Sequence, residues 1–383
     1  MANTLTEVIP RILAQGLLAL RGATIMPSLV NTDFGTEAAR KGATIDVPIP
    51  SAITVQTVAP APTAPATADI SPTSVPIPLT QWKEAPFYLT DKDVMEAMDG
   101  TIPMQASEAI KALSEDVNAY LFLQYPGVFG YTGTAGTTPF ASDTSDATAL
   151  RKILNRQLAP PRDRRVVLDP DAEANALNLR AFQDVSYRGD EDGIIEGMIG
   201  RKFGFDWAMD QQVPTHVAGT ITTGLSAKAS TAQAVGDTSV ICTTAASTGA
   251  ADLKVGDIVS FAGHEQTYAL TAAAVQASAA SDVTLEISPG LQTALAGGEA
   301  VTVRSTHVVN LGFHRDAFAF ASRPLEDQNV AGMGSIIQSA TDPVSGLSLR
   351  LEVSREHKRI RWSFDILYGA ALVRKELAAR LAG

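Results

Sequence analysis

From Val47 to Trp82 the chain carries one charged residue, Asp69, and nine of its 21 prolines fall between Pro48 and Pro86. Proline has no N–H to give to a ladder and its φ is fixed, so this stretch cannot supply the central strands of a sheet. Short β-prone runs flank it, Ala43-Thr44-Ile45-Asp46-Val47 before and Ser74-Val75-Pro76-Ile77 after. Two readings compete: a disordered Ala/Pro/Thr linker, or a long two-stranded arm whose tip is ordered only against another molecule. The strand-like flanks and the missing charge favour the arm.

The remainder is apolar enough to bury a core, with 45% of the 383 residues hydrophobic and 19% charged. That length suits two or three domains. A formal net charge of -11 argues against a protein that grips nucleic acid through a basic face, though not against one that encloses it. Cys242 is the sole cysteine. One chain therefore forms neither a disulfide nor a thiolate metal cluster, and in Val240-Ile241-Cys242 the thiol reads as a small apolar filler. The apolar run Ile12 to Leu20 is too short to cross a bilayer, and no signal peptide precedes it. The expectation is a soluble chain made in a reducing cytoplasm, without membrane contact.

Thr4-Leu5-Thr6-Glu7 is a capping box, and Ile9, Ile12, Leu13, Leu17 and Leu20 follow at helical spacing. This short amphipathic helix must pack on the body or on a neighbour. A longer helix opens at Pro103, where Ala106, Ile110, Leu113, Val117, Leu121 and Gln124 recur every three or four residues before Pro126-Gly127. At about 22 residues it spans about 33 Å. An α/β pattern comes next: a helix with Leu150, Ile153, Leu154 and Leu158, a strand Arg165 to Leu168, and a helix through Leu179. Asp169-Pro170 opens that last helix as an N-cap with proline at the first helical position. Gly193 to Pro214 is punctuated by glycine and ends strand-like at Val213-Pro214.

After His216 the composition shifts. Gly219 to Arg304 is rich in Ala, Thr, Ser and Val, with one proline. Strands are predicted at Ile258–Phe261, Val283–Ile287 and Val301–Val303, and Lys254-Val255-Gly256-Asp257 resembles the turn of a small-barrel hairpin. Thr215-His216-Val217 and Thr306-His307-Val308 bracket the segment, as if one strand leaves the main body, a β-domain is inserted, and the chain resumes close by. Arg359 to Tyr368 alternates, with Ile360, Trp362, Phe364 and Ile366 on one side. Arg374 to Leu381 reads as a short charged helix.

The search for chemistry returns no catalytic, cofactor-binding or metal-binding residue. His314-Arg315-Asp316 opens like a kinase catalytic loop, but the required asparagine is Ala321 and neither Asp-Phe-Gly nor a glycine-rich loop accompanies it. Gly332-Met333-Gly334 lacks its third glycine. Asp169, Asp171 and Glu173 suit a helix N-terminus without any ion. Asp190, Glu191 and Asp192 form a solvated acidic loop, and the five histidines show no ligand spacing. The expectation is a protein that is not an enzyme and takes no cofactor.

The order of these pieces resembles the Hong Kong 97-type coat proteins of tailed phages. Three runs carry the likeness: Gly193-Ile194-Ile195-Glu196-Gly197 through Gly204-Phe205 to Val213-Pro214; Asn310-Leu311-Gly312-Phe313-His314-Arg315-Asp316-Ala317-Phe318; and Leu253-Lys254-Val255-Gly256-Asp257-Ile258-Val259-Ser260-Phe261-Ala262-Gly263. The second and third are similar to coat proteins that carry an inserted β-rich I-domain. The resemblance implies an α+β fold with an N-terminal arm at 1–42, an E-loop at 43–90 and a peripheral domain with its spine helix at 91–144. It implies an axial domain at 145–218 and 306–340, an inserted barrel-like β-domain at 219–305, and peripheral C-terminal strands with a short helix at 341–383.

The function it implies is a major capsid protein that assembles with itself, as hexamers and pentamers, into an icosahedral virion shell around double-stranded DNA. The implied partners are a separate scaffolding protein, a portal protein, in some cases a decoration protein, and DNA contacted without sequence preference. Relatives that weld their subunits use an E-loop lysine; from Val47 to Trp82 there is none, and Lys41 and Lys83 sit only at the base. A cargo-enclosing nanocompartment shell on the same fold, and a tail or surface-adhesion protein using the β-domain, remain the alternatives.

Overall fold

The computed structural model describes residues 12–14, 16–17, 20, 24–33, 42–50, 53, 55, 60, 72–91, 101–183, 197, 199–221, 224–244, 251–276, 281–325, 335–342 and 346–383. They fall into two compact units. The acidic run 190–192 and Gly332-Met333-Gly334 lie outside the described residues.

The first unit comprises residues 1–19, 32–113 and 319–373. Its five-stranded sheet is built on the long strand Arg359–Leu372, which pairs antiparallel with Gln81–Thr90 and with Ser348–Glu356; Phe318–Arg323 and Ser335–Thr341 complete it. Side-chain chemistry alternates as expected, but burial does not: residues 362 to 370 are all buried, and the Trp362 ring stacks on Phe87 of the neighbouring strand at 6.3 Å. The opposite face is ionic. Arg350 Nε donates to both carboxylate oxygens of Asp365 at 2.9 and 3.0 Å, and Arg361 donates to Glu84 at 2.8 and 3.0 Å.

The spine helix runs Thr101–Phe122, with Ala106, Ile110 and Leu113 buried in this unit. The opening helix is represented by helical backbone at 12–14 and 16–17. Leu13 is buried, and a Cβ on Gly16 would lie 2.6 Å from Ile110 Cδ1 and 3.5 Å from Leu349 Cδ2. At these positions the segment packs against Ile110 and Leu349 of its own chain.

The second unit comprises residues 20–31, 114–318 and 374–383. Its seven-stranded sheet has the order Gly130–Gly133, Ala378–Ala382, His307–His314, Arg164–Leu168, Phe205–Met209 and Arg201–Lys202, with Thr215–His216 joining the strand His307–His314. The helix Ser145–Arg156 lays Leu150 over Gly312, where a Cβ would meet Leu150 Cδ2 at 2.5 Å, so the close approach requires glycine. The helix Pro170–Asn178 begins as its sequence dictates, with the Asp169 carboxylate accepting from Asp171 N. Phe140, Phe182, Phe205 and Trp207 pack edge to face beside the sheet.

The segment after Thr215–His216 closes into a six-stranded antiparallel barrel in the order Ser239–Thr244, Asp282–Ser288, Tyr268–Leu270, Ile258–Phe261, Ala300–Val303 and Leu225–Ala227. Closure leaves no free sheet edge in the ring. Its interior is apolar, with Leu225, Val240, Cys242, Tyr268, Leu285 and Leu291 all buried.

Two expectations are corrected. Leu158 is not on the stripe of the helix Ser145–Arg156: it lies beyond the helix end with φ +59 and is 88% exposed. Arg374 to Leu381 is not a helix: a 3-10 turn at Lys375–Leu377 leads into the strand Ala378–Ala382, which pairs parallel with Gly130–Gly133 and antiparallel with His307–His314. All five residues of that strand are buried. Two ladders and two covered faces outweigh the helical preference of Lys, Glu, Leu and Ala.

Candidate assembly surfaces

The proline-rich stretch forms a hairpin at its base. Thr44–Ile49 pairs antiparallel with Thr73–Pro78, in a register from Thr44 opposite Pro78 to Ile49 opposite Thr73. Ile45 and Val47 turn one face toward Ile77, Leu79, Ala319, Ala321 and Leu367. Gly369 permits this, because a Cβ there would lie 2.3 Å from the Pro78 carbonyl oxygen. Beyond the last pair the chain leaves that core: Ile53 is 78% and Val55 99% exposed. Both are apolar side chains on a segment without charge.

The barrel meets the seven-stranded sheet through an apolar cluster, Ile258 and Ala269 of the barrel with Phe129, Tyr131 and Ala382, and through polar groups beside it. The bracketing motifs are partners, since His307 pairs with His216 and Val308 with Thr215, so the chain enters and leaves the barrel on one two-stranded neck. The turn 254–257 sits on this neck. Gly256 has φ +89, and a Cβ on it would lie 3.0 Å from Pro126 Cβ. The carboxylate of Asp257, wholly buried, accepts from His216 Nε2 at 2.7 Å, Lys254 N at 2.7 Å and Gly219 N at 3.1 Å.

With Nε2 donating to Asp257, His216 Nδ1 is left to accept from the Tyr125 hydroxyl at 2.9 Å. From the C-terminal strand, Arg380 donates Nη1 to Gly256 O at 2.8 Å and Nη2 to the carbonyls of Tyr125 and Pro126 at 3.0 Å. Its guanidinium lies 4.9 Å from the Tyr125 ring centroid, and burial lowers its pKa to about 10. The sequence hinted at this cluster only through the paired Thr-His-Val runs. Arg380 was hidden inside a segment read as a helix.

The residues tested for chemistry have structural work. His314 Nδ1 accepts from Asp316 N, and Asp316 accepts from Asn31 Nδ2, which ties the 3-10 turn Arg315–Ala317 to the distant segment around Asn31. Asp169 caps its helix, and burial raises the Glu173 pKa in the same turn. Cys242 lies in the barrel core, where burial pushes its thiol up to about 12, so no nucleophilic thiolate forms near neutrality. Among the described residues no group of three or more His, Cys, Asp or Glu could hold a metal ion, and no helix is long and apolar enough to cross a membrane.

No family model matches the chain, and no curated protein matches it. Among solved structures it is similar to a chain of Mycobacterium phage Che8, at 15% identity over 94% of this chain and 90% of that one, with a TM-score of 0.48. A chain of the cyanophage P-SCSP1u capsid is 12% identical over 94% and 88%, with a TM-score of 0.49. A chain of the mature PhiM1 bacteriophage capsid is 8% identical over 94% and 86%, at 0.47.

Proposed function

We propose that the chain is the major capsid protein of a tailed phage, a Hong Kong 97-type shell subunit with an inserted β-barrel. The observation that carries the reading is the hairpin whose paired base is packed on its own unit while Ile53 and Val55 beyond it stand bare. A surface of that kind is satisfied by a second copy. An extended element whose partner patch lies elsewhere on the copy makes a heterologous contact, which propagates into rings and shells instead of stopping at a dimer. Each copy then gives and receives several modest contacts that are strong together.

Hexamers and pentamers of the chain form the shell, with a separate scaffolding protein guiding closure in the host cytoplasm and a portal at one vertex. An acidic subunit suits enclosing DNA through sparse, sequence-independent contacts, and a shell of this kind performs no catalysis. The test is a shortened hairpin in which residues 50–72 are replaced by Asn-Gly, a turn that suits a two-residue hairpin loop. The variant is expected to fold and to stay unassembled in the presence of scaffolding protein. Particles formed as readily as by the full-length hairpin would overturn the proposal.

A further inference from the structure

We propose that Arg380, Tyr125, Asp257 and His216 form a buried latch that fixes the inserted barrel on the seven-stranded sheet, and that a proton taken up by His307 opens it. The latch joins three parts of the second unit: the C-terminal strand through Arg380, the turn after the spine helix through Tyr125 and Pro126, and the barrel turn through Gly256 and Asp257. Arg380, Asp257 and His216 are buried and Tyr125 is half-buried, and the cluster sets one guanidinium against one carboxylate. His216 bridges between them by donating to Asp257 and accepting from Tyr125.

His307 stands beside this balance with no charge of its own. Its Nδ1 donates to Ser305 O at 2.8 Å, and its buried Nε2 has no hydrogen-bond partner. The ring lies 5.4 Å from His216 and 5.3 Å from Tyr131, over which Arg304 is placed at 5.3 Å. The groups facing it are therefore Arg380, His216, Asp257, Tyr131, the Ser305 carbonyl and, across Tyr131, Arg304. Burial above all, supported by Arg380 and His216, lowers its pKa to about 4 against the pull of Ser305 and Asp257. The folded junction thus prefers the neutral ring. A group whose folded pKa lies below its unfolded value of about 6.5 contributes stability above that pH, and loses it as pH falls toward about 4.

A proton on His307 adds a second buried cation with no second carboxylate to meet it. Because His307 and His216 are the cross-strand pair of the neck, that cost falls where the chain enters and leaves the barrel. The barrel interior is apolar, and the barrel's own acid-sensitive groups, His264 on the Tyr268 hydroxyl and Asp282 on Lys228, lie outside that core. The junction is built to yield before the barrel does, and this holds whatever the chain assembles into.

Amide exchange on the full-length protein, read by mass spectrometry and referred to the intrinsic rate at each pH, tests the latch. Reporter amides are Gly219 and Lys254, both bound to Asp257, and the segment 305–309; reference amides are in the barrel strands 239–244 and 282–288. Between pH 7 and pH 4 the reporters are expected to lose protection by about a hundredfold or more while the reference strands keep theirs. His307→Asn retains a donor for Ser305 but accepts no proton, and is expected to keep its reporters protected in acid. Arg380→Met is expected to expose the reporters already at pH 7.5. Reporters and reference strands failing together in the wild type would overturn the proposal. So would His307→Asn failing as the wild type does, or Arg380→Met staying fully protected. If Arg380→Met yields no folded protein, His307→Asn against wild type decides alone.

Discussion

Replacing both Ile53 and Val55 by aspartate separates assembly from folding, because neither side chain has much to lose within its own chain. They are 78% and 99% exposed. Surface changes away from special features move stability by only about ±0.5 kcal/mol. In a shell contact the same side chains would be covered, each worth about 1.5–3 kcal/mol when fully buried, or about 3–6 kcal/mol for the two. The carboxylates forfeit that gain and also resist desolvation in an apolar contact. Taking the lower bound, about 3 kcal/mol is roughly a hundredfold in the equilibrium constant of each contact, before repetition around the shell multiplies it. Sedimentation velocity measures the assembled fraction, and a circular-dichroism melt measures the fold. The expected outcome is an unchanged melt with assembly abolished at concentrations where the wild type is mostly particulate. A double variant that assembles at wild-type concentrations would refute the reasoning, since the hairpin tip would then touch nothing that matters.

Gly312→Ala puts a methyl against Leu150 and should cost about 1–3 kcal/mol, followed by circular dichroism in urea. Leu150→Val in the same chain should return part of that loss, and strict additivity would point to another cause. Because Val47 to Trp82 contains no lysine, no covalent weld between copies is expected through that stretch, and boiled particles should run as a single band near 40.2 kDa. A ladder of covalent multimers would contradict this. Residues 219–305 expressed alone should give a dispersed amide spectrum and a cooperative melt, as a closed barrel with its own core requires. A collapsed product without a transition would make the barrel dependent on the sheet beneath it.

Elements with local punctuation were legible in the sequence. The spine helix shows its stripe from Ala106 to Leu121 between prolines, and Asp169-Pro170 fixes a helix start by cap chemistry that needs no tertiary context. The hairpin base was readable because β-prone runs flank a stretch too rich in proline to be anything central. The barrel was visible as a compositional break, but strands as short as Leu225–Ala227 and Tyr268–Leu270 carry too few residues for a period. The strand Ala378–Ala382 was misread because its residues favour a helix, and the forces that extend it come from Gly130–Gly133 and His307–His314, distant in sequence. The buried latch was illegible for the same reason. Arg380, Asp257, His216 and Tyr125 share no spacing, and only the fold brings them together.

The most direct test of the central claim is negative-stain imaging of purified full-length protein, alone and with the scaffolding protein proposed above, alongside sedimentation of the same samples. Closed shells of uniform diameter and megadalton mass are expected in the presence of scaffolding protein. A chain that remains monomeric under both conditions, folded and with its hairpin intact, would contradict the account.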